Sequence, residues 1–286
     1  MEVLEELCEP SGPGPNEDAV GHAGDAQAGA AWVIDGATGV AEAELVPGAD
    51  SDAAWFARRL SAAFASLFDP IAPVEAQMRS AIDAVAADYR RLVGPVEVPR
   101  HALPSAAGVW VRWTAAGWLE LAALGDCRAL LRTADGVVRS LGPRRLDLGD
   151  ALVNAAVRTL QATGVRDPAA VRERLAGRLR ETRTRMNRPG GYWVFSIEPA
   201  AAGHLDLDRA ELAPGAVLLL VSDGLFRLVD TYRAYTPEGL VAAAAERGLR
   251  PLHEELRRIE AEDAGCTRFV RLKPRDDASG LLLRRV

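Results

Sequence analysis

Short apolar runs that predict strands alternate along this chain with longer amphipathic segments that predict helices. The pattern predicts strands over residues 28–34, 109–114, 118–124, 128–132, 137–140, 192–197, 204–207, 216–222 and 281–286. It predicts helices over residues 51–68, 74–92, 151–163, 168–185, 237–247 and 251–262. The Pro- and Gly-rich residues 9–16 are expected to form a loop.

The order of these elements indicates the fold class. Helices come in pairs between groups of strands, and a final strand closes the chain. Antiparallel sheets covered by helix pairs fit this order better than alternating βαβ units do. We therefore expect an α+β fold. A length of 286 residues suits a single domain over 1–286, although a prior of about 150 residues per domain also allows two.

Composition narrows the function classes. Hydrophobic residues make up 49% of the chain, which favours a globular protein with a large core, and the formal net charge is −6. The sequence has no basic stripe, so neither nucleic acid nor an anionic membrane is expected as the main partner. No apolar run approaches the roughly 20 residues of a membrane span. Three widely spaced cysteines, Cys8, Cys127 and Cys266, favour reduced thiols and a cytoplasmic location.

Acidic residues recur where predicted strands end or begin. They form the motifs Asn16-Glu17-Asp18, Asp35-Gly36, Gly125-Asp126, Asp223-Gly224 and Asp276-Asp277. A fold can bring such positions together, and neighbouring carboxylates stay ionised only if cations lie between them. Hard oxygen ligands suit Mg²⁺ or Mn²⁺ better than zinc. The pattern thus predicts an oxygen-rich, two-metal hydrolytic site.

These motifs resemble, in order and over most of the chain, those of the metal-dependent protein phosphatases of type 2C (the PPM family). Residues 31–39, AWVIDGATG, resemble the family's strand followed by D-G-x-x-G, and residues 123–129, ALGDCRA, resemble its G-D-S-R-A hairpin. Residues 218–226, LLLVSDGLF, resemble L-L-x-x-S-D-G-L-W. Residues 275–279, RDDAS, resemble the closing D-N/D-x-[ST] motif, and Asn16-Glu17-Asp18 resembles the first acidic motif. Each match alone is weak, but their common order makes the set specific.

The resemblance implies a four-layer αββα sandwich, in which two antiparallel sheets are flanked by antiparallel helix pairs. It also implies two bound Mn²⁺ or Mg²⁺ ions in a cleft at one end of the sandwich. Asp35 would bridge the ions, and Asp223 and Asp276 would complete the first site. These three are the implied catalytic residues. Glu17 and the Gly36 carbonyl would hold the second ion, with Asp18 as a close neighbour among the metal-binding residues.

The implied activity is hydrolysis of phosphomonoesters, with phosphoserine and phosphothreonine in proteins as substrates. A hydroxide bridging the ions would attack phosphorus in line, with no covalent enzyme intermediate. The resemblance further implies a phosphoprotein partner and an opposing serine/threonine kinase. The alanine-rich composition, in which arginine almost replaces lysine, suggests a bacterial source.

The sequence departs from the family at positions that face the substrate. Pro13 stands where the family carries a phosphate-gripping arginine, and Ala37 stands where it often has histidine. Arg227 replaces an aspartate of a weaker third metal site, which predicts that this site is absent. The family's T-R-x-x-G segment is not recognisable in residues 186–193. One of Arg183, Arg185 and Arg188 is the candidate replacement for the lost phosphate contact.

Several interpretations stay open at this stage. The chain is either an active phosphatase or a catalytically weak or inactive phosphatase-like binding module, and hydrolysis of a small phosphorylated metabolite is a third hypothesis. Asp126 is either part of the acidic site or the cap of a hairpin that bonds Arg128. The arginine-rich segment 178–188 is expected to be a solvated helix face, with phosphoprotein docking as the alternative. Trp110, Trp113 and Trp118 are expected to serve packing.

Overall fold

Two antiparallel sheets form the centre of the protein. A computed structural model describes residues 1–37, 40, 44–143 and 148–286. Within these residues the strands are β1 Glu2–Glu9, β2 Asp18–Gly24, β3 Gly29–Gly36, β4 Ser105–Trp113, β5 Trp118–Leu124, β6 Arg128–Arg132, β7 Val138–Leu141, β8 Phe195–Ser196, β9 Asp206–Glu211, β10 Val217–Val221 and β11 Ala278–Arg284. The β10 sheet has the order β1-β11-β10-β6-β7, and the β3 sheet has the order β2-β3-β4-β5-β9, with β8 paired to β4.

Helices cover the outer faces of both sheets. The helices of the described residues are α1 Asp52–Ser66, α2 Val74–Val93, α3 Leu148–Ala162, α4 Pro168–Thr184, α5 Asp223–Asp230, α6 Pro237–Arg247 and α7 Leu249–Glu262. One apolar core joins α1 and α2 to the β3 sheet, and another joins α5, α6 and α7 to the β10 sheet. A third core lies between the two sheets. The α+β class and the αββα sandwich are therefore confirmed.

Alternation along the central strands explains this layering. In β10, Leu218 and Leu220 belong to the core between the sheets, whereas Val217, Leu219 and Val221 belong to the core under α5–α7. Successive side chains of a strand point to opposite faces, so a strand buried on both sides reads as a continuous apolar run. This is why the apolar pattern located β10 correctly.

Local signals also explain where α1 begins and which face it buries. The Ser51 side chain caps the helix by accepting a hydrogen bond from the Ala54 amide over 3.0 Å. Phe56, Leu60 and Phe64, spaced four residues apart, are buried against the β3 sheet. The cap and the apolar stripe were both readable in the sequence, and the predicted helix over 51–68 matches α1 closely.

Two edge strands were missed by the sequence pattern. β1 is the edge of the β10 sheet, and β2 is the edge of the β3 sheet. β1 is rich in glutamate, which is depleted in strands, and only Leu7 in it is fully buried. β1 is held by pairing with β11, at the other end of the sequence. Such long-range pairing leaves little local signal.

Four further differences concern the segment around Asp223, two strands before it and one helix. Asp223-Gly224 was interpreted as a turn after a strand, but Asp223 begins α5. The predicted strand over 192–197 shrinks to Phe195–Ser196, and the one over 204–207 is shifted to Asp206–Glu211 after a 3-10 segment, Pro199–His204. The helix predicted over 151–163 begins earlier in the structure, at Leu148. Thr38 and Gly39 of the D-G-x-x-G match lie outside the described residues.

The arginine-rich segment is not uniformly solvated. Arg183, in the last turn of α4, is buried and donates hydrogen bonds to the Ala37 carbonyl over 3.1 Å and to the Ser105 hydroxyl over 2.8 Å. The expectation of a solvated face is therefore wrong for this residue. Arg185 and Arg188 are exposed and lie near Glu181 and Glu198. Arg183 thus ties α4 to the start of β4.

The tryptophans behave largely as packing residues. Trp110 and Trp113 on β4 are buried, each in the core of a different sheet face. Trp118 on β5 is more exposed, and the guanidinium of Arg209 lies 4.1 Å from its ring centroid. The expectation holds for the first two, whereas Trp118 contributes a cation–π contact at the surface.

Candidate metal centre

The hairpin of β2 and β3 places two of the predicted acids opposite each other. Asp18 and Asp35 are register partners across this hairpin, and directly opposed residues have Cβ atoms about 4.5–5.5 Å apart. The Gly36 amide donates a hydrogen bond to the Glu17 carbonyl over 3.0 Å. A Cβ atom on residue 36 would lie 2.3 Å from that carbonyl oxygen. Glycine is therefore required for the hairpin to bring Glu17, Asp18 and Asp35 together.

Asp223 enters the same cluster from the β10 sheet. It follows β10 directly, and Ser222 fixes the strand end by exchanging 3.0 Å hydrogen bonds with Ser279 on β11. A Cβ atom on Gly224 would lie 1.9 Å from the Asp277 carbonyl oxygen. The start of α5 is thus pressed against the segment that contains Asp276 and Asp277.

Asp277 connects the two ends of the chain at this site. Its carboxylate accepts a hydrogen bond from the Ser11 amide over 2.6 Å and another from the Glu17 amide over 2.7 Å. The sequence analysis gave Asp277 no role beyond the closing motif. The structure assigns it the positioning of the loop that carries Glu17.

Glu17 is oriented by a second residue that sequence reasoning treated only as a helix cap. The Ser51 hydroxyl donates to Glu17 Oε1 over 2.8 Å while its oxygen accepts from the Ala54 amide. One side chain therefore caps α1 and holds a predicted metal ligand. The N-cap signal located Ser51 in the sequence, but the contact with Glu17 depends on the packing of α1 against the β3 sheet.

The buried acids on the β3 side resist ionisation. Burial, and after it the charges of Asp223 and Asp18, hold the pKa of Asp35 well above its usual value. Burial also holds the pKa of Asp18 well above its usual value, helped by Asp277 and Asp223 and opposed by the Ser279 hydroxyl. Asp18 Oδ2 is buried and has no hydrogen-bond partner among the described residues. These acids need a cation in order to be ionised together.

Asp126 acts on the same cluster from the β5–β6 turn. It follows Gly125, whose φ of 85° favours glycine, and its charge contributes to the raised pKa of Asp35. Arg128 donates a hydrogen bond to the Pro143 carbonyl over 3.0 Å. No bond between Asp126 and Arg128 is seen among the described residues, whereas the charge of Asp126 acts on Asp35, which favours the interpretation of Asp126 as a member of the acidic site.

Asp276 has a different environment, because two cations of the chain itself bind its carboxylate. Arg227 Nη2 lies 2.6 Å from Asp276 Oδ2, and Lys273 Nζ lies 2.9 Å from Asp276 Oδ1. Burial would raise the pKa of Asp276, but Arg227 and Lys273 outweigh it and lower that pKa. Asp276 is thus already neutralised by side chains.

The oxygen atoms of this cluster are of the type that a hard divalent ion prefers, but they are not arranged as a metal site. Oxygen ligands and an unpartnered buried oxygen on Asp18 suit Mn²⁺ or Mg²⁺. Yet within the described ranges no group of three or more His, Cys, Asp or Glu side chains is placed so that it could hold a metal ion. Asp18, Asp35 and Asp223 supply oxygen atoms of the type that such an ion prefers, whereas the carboxylate of Asp276 is bound by two cations of the chain.

A cleft opens beside the acidic cluster. Its volume is about 600 Å³, and Glu17 and Asp276 are among the residues that line it. Arg172 on α4 and Arg275 also line the cleft, and neither has an ion-pair partner within the part of the chain that the structure describes. Pro13 lies exposed in the neighbouring loop. The cleft therefore presents guanidinium groups that sequence reasoning did not select.

Comparison of the fold with solved structures gives matches over almost the full chain. The Mycobacterium tuberculosis serine/threonine phosphatase PstP/Ppp matches with a TM-score of 0.53 and 18% identity, over 98% of this chain and 97% of that one. The catalytic domain of PstP in complex with two manganese ions matches with a TM-score of 0.51 and 18% identity, over 99% and 98%. PppA, a regulatory component of type VI secretion in Pseudomonas aeruginosa, matches with a TM-score of 0.54 and 16% identity, over 99% of both chains.

The chain has the type 2C phosphatase fold. No protein-family model and no curated protein matches the sequence, so this fold is recognised through the structure and the five acidic motifs. The resemblance stated from those motifs is confirmed at the level of the fold. The metal-binding and catalytic roles of Glu17, Asp18, Asp35, Gly36, Asp223 and Asp276 stay predictions.

None of the described helices is both long enough and apolar enough to cross a lipid bilayer.

Proposed function

We propose that this type 2C phosphatase-like chain is a Mn²⁺- or Mg²⁺-dependent phosphomonoester hydrolase that acts on phosphoserine and phosphothreonine in proteins. The cluster of Asp18, Asp35 and Asp223 supports this proposal most directly. The raised pKa values of Asp18 and Asp35 and the unpartnered Asp18 oxygen indicate a site that lacks sufficient positive charge. A divalent ion supplies that charge.

The chain's own residues then have distinct tasks in this proposal. Asp35 and Asp223 would hold the ion, together with Glu17, which Ser51 and Asp277 orient, and the Gly36 carbonyl. When bound, Mn²⁺ or Mg²⁺ lowers the pKa of a coordinated water and neutralises phosphoryl oxygens. Asp276 joins the ligands only if Arg227 and Lys273 release it.

The cleft supports an anionic, phosphorylated substrate. Arg172 and Arg275 lie along it, and guanidinium groups pair with phosphate through two parallel hydrogen bonds. Arg183 is unsuited to this task because its guanidinium is buried against Ala37 and Ser105. The neighbouring folds that are named as serine/threonine phosphatases favour a protein substrate over a small metabolite. An opposing serine/threonine kinase is the corresponding expected partner.

A cysteine nucleophile is disfavoured at this site. Cys127 is the cysteine whose charge environment includes Asp35, Asp126, Asp18 and Asp223. Burial, followed by the charges of Asp35 and Asp126, holds the pKa of this thiol well above its usual value. A thiol of this kind is protonated at neutral pH and is a poor nucleophile. Hydrolysis by activated water is therefore the better supported reaction.

A catalytically weak or inactive binding module is the second candidate. The ion pairs of Asp276 with Arg227 and Lys273 favour it, because they occupy a predicted ligand. Pro13 favours it as well, since a residue without hydrogen-bond donors stands where the family grips phosphate. The retained carboxylates at Asp18, Asp35 and Asp223 favour the enzyme.

Hydrolysis of p-nitrophenyl phosphate and of a phosphothreonine peptide tests the proposal. We expect turnover with Mn²⁺ or Mg²⁺ and none in EDTA. Asp35→Asn should reduce turnover by about a thousandfold or more, since such losses follow removal of a group that acts on the transition state. Asp135→Asn is the matched control, because Asp135-Gly136 is also an Asp-Gly pair but lies in an exposed turn. Undiminished turnover in EDTA would exclude the metal-dependent reaction, and no turnover with any metal would favour the binding module.

Two further expectations accompany this proposal. All three cysteines are free thiols, which supports a reducing, cytoplasmic compartment. A single domain over residues 1–286 remains the proposed organisation, because the two sheets share one core.

A further inference from the structure

The carboxylate of Asp276 is saturated by cations that belong to the chain. Arg227 Nη2 binds one oxygen over 2.6 Å and Lys273 Nζ binds the other over 2.9 Å. The side chains of Arg227 and Asp276 are 11% and 22% exposed, so solvent screens this pair weakly. Charge-assisted hydrogen bonds of this kind are about twice as strong as neutral ones.

Arg227 also lies near a second carboxylate. Its Nη1 lies 3.9 Å from Oε1 of Glu260, whose side chain is completely buried, and this ion pair is too long for a hydrogen bond. Glu260 in turn accepts a hydrogen bond from Arg257 over 2.6 Å. Charges of alternating sign therefore follow one another in the order Lys273, Asp276, Arg227, Glu260 and Arg257. The charge of Glu260 favours the retention of the Arg227 guanidinium beside Asp276.

On the opposite side of the cluster, no described cation forms an ion pair with Asp18 or Asp35, although the charges of Lys273 and Arg227 reach Asp223 and that of Lys273 also reaches Asp35. Asp18 Oδ2 lacks any hydrogen-bond partner within the described residues, and Asp35 has the carboxylates of Asp223 and Asp18 as its main charged neighbours. A divalent ion gains most where charge is least compensated, and to reach Asp276 it must displace the guanidinium of Arg227 and the ammonium of Lys273. Binding is thus favoured at Asp35 and opposed at Asp276.

We propose that Arg227 and Lys273 form a built-in cation that replaces one metal ion, so that the acidic cluster binds a single divalent ion on the Asp35 side. This inference rests on the proposed function only in requiring that the cluster binds a divalent ion; it does not require hydrolysis. It changes the two-ion expectation from the sequence, because the second position is filled by side chains.

Calorimetric titration of EDTA-treated full-length protein with MnCl₂ tests the stoichiometry. We expect one Mn²⁺ per wild-type chain. Arg227→Gln should raise the affinity for a second Mn²⁺ by roughly tenfold or more, because one charge-assisted bond no longer has to be broken. Arg100→Gln is the matched control, since Arg100 also pairs with a carboxylate over 2.6 Å, that of Glu198, with both side chains 21% exposed. The control should keep one ion.

Lys273→Gln provides a second variant in case Arg227→Gln does not fold. Lys273 is 29% exposed and bonds the other oxygen of Asp276, so its removal should also raise the affinity for a second ion. Two Mn²⁺ ions of similar affinity in the wild type, one of which is lost in Asp276→Asn, would overturn the proposal. Unchanged stoichiometry in both Arg227→Gln and Lys273→Gln would overturn it too. A single bound ion without any phosphatase activity would sink the proposed function but leave this inference standing.

Thermal unfolding gives a readout that is independent of both activity and stoichiometry. If Arg227 is the counter-cation of the folded site, Arg227→Gln should lower the melting temperature in EDTA. Addition of Mn²⁺ should then raise the melting temperature of Arg227→Gln by more than it raises that of the wild type or of Arg100→Gln. An equal Mn²⁺ response in all three proteins would contradict the inference.

Discussion

The two halves of the acidic cluster contain the same kind of residue but are neutralised differently. On the β3 side, Asp18 and Asp35 face other carboxylates, and their pKa values are raised by burial and by those charges. On the β11 side, Asp276 is partly buried, and burial would raise its pKa, yet Arg227 and Lys273 lower it. Burial acts in the same direction on the pKa values of both halves. The position of the counter-charge therefore decides which acid is ionised. It also decides which carboxylates are available to a metal ion and which one, Asp276, is already bound by side chains.

Asp277 connects the two halves through its hydrogen bonds, so its replacement is expected to have the largest effect on stability. Asp277→Ala removes two hydrogen bonds between a carboxylate and the amides of Ser11 and Glu17. Each hydrogen bond to a charged group contributes about 1.5–3 kcal/mol, so we expect the free energy of unfolding to fall by about 3 kcal/mol or more. Urea denaturation measures this loss.

Asp25 supplies the matched control for that experiment. Its carboxylate also accepts two backbone amides, those of Gln27 and Ala28, over 2.8 and 2.9 Å. Asp25 lies in an exposed turn, so Asp25→Ala should cost clearly less than Asp277→Ala. Equal losses would mean that Asp277 contributes only an ordinary turn contact.

The pH dependence of stability in EDTA sharpens the comparison further. A raised pKa means that the folded chain keeps protons on Asp18 and Asp35 that the unfolded chain releases above the ordinary value of 3.8. Stability must then fall as the pH rises above about 4, by about 1.4 kcal/mol per pH unit for each proton kept. Asp276 changes the stability with pH in the opposite direction. Because its pKa is lowered, it contributes stability that is lost as the pH falls below 3.8.

Denaturation in EDTA between about pH 5 and about pH 8 checks this sign. Asp35→Asn should flatten the decline, since an amide cannot release a proton, and excess Mn²⁺ should flatten it in the wild type. Stability that rises with pH throughout this range would show that Asp18 and Asp35 are neutralised by cations of the chain, as Asp276 is.

The smallest expected effect concerns the cleft beside the Asp276 side of the cluster, where Arg172 and Arg275 add positive charge. Arg172→Ala should raise KM for a phosphopeptide by a few-fold while kcat changes little, because a partly solvated guanidinium contributes up to about 1 kcal/mol to binding. Arg174→Ala is the control, since Arg174 is on the same helix but does not line the cleft. An unchanged KM for Arg172→Ala would place substrate recognition elsewhere.

Parts of the site were readable in the sequence because their signals are local. The strand β10 and the acid that follows it, the Asp35-Gly36 pair and the Ser51 cap all carry short-range patterns. The contact of Ser51 with Glu17 was not readable, because it joins residues 34 positions apart. The same holds for Asp277 and Glu17, which are 260 positions apart.

The sequence by itself determined the core strands, most helices and the α+β class, because periodicity is a local property, and its acidic motifs carried the family resemblance that implied the αββα sandwich. Only the tertiary structure decided that β1 and β2 complete the sheets as edges, that Arg183 is buried, and that Arg227 and Lys273 bind Asp276. These outcomes depend on which distant residues share one low-dielectric space. In such a space each charge interacts strongly with its neighbours, and no linear pattern records which neighbours it will have.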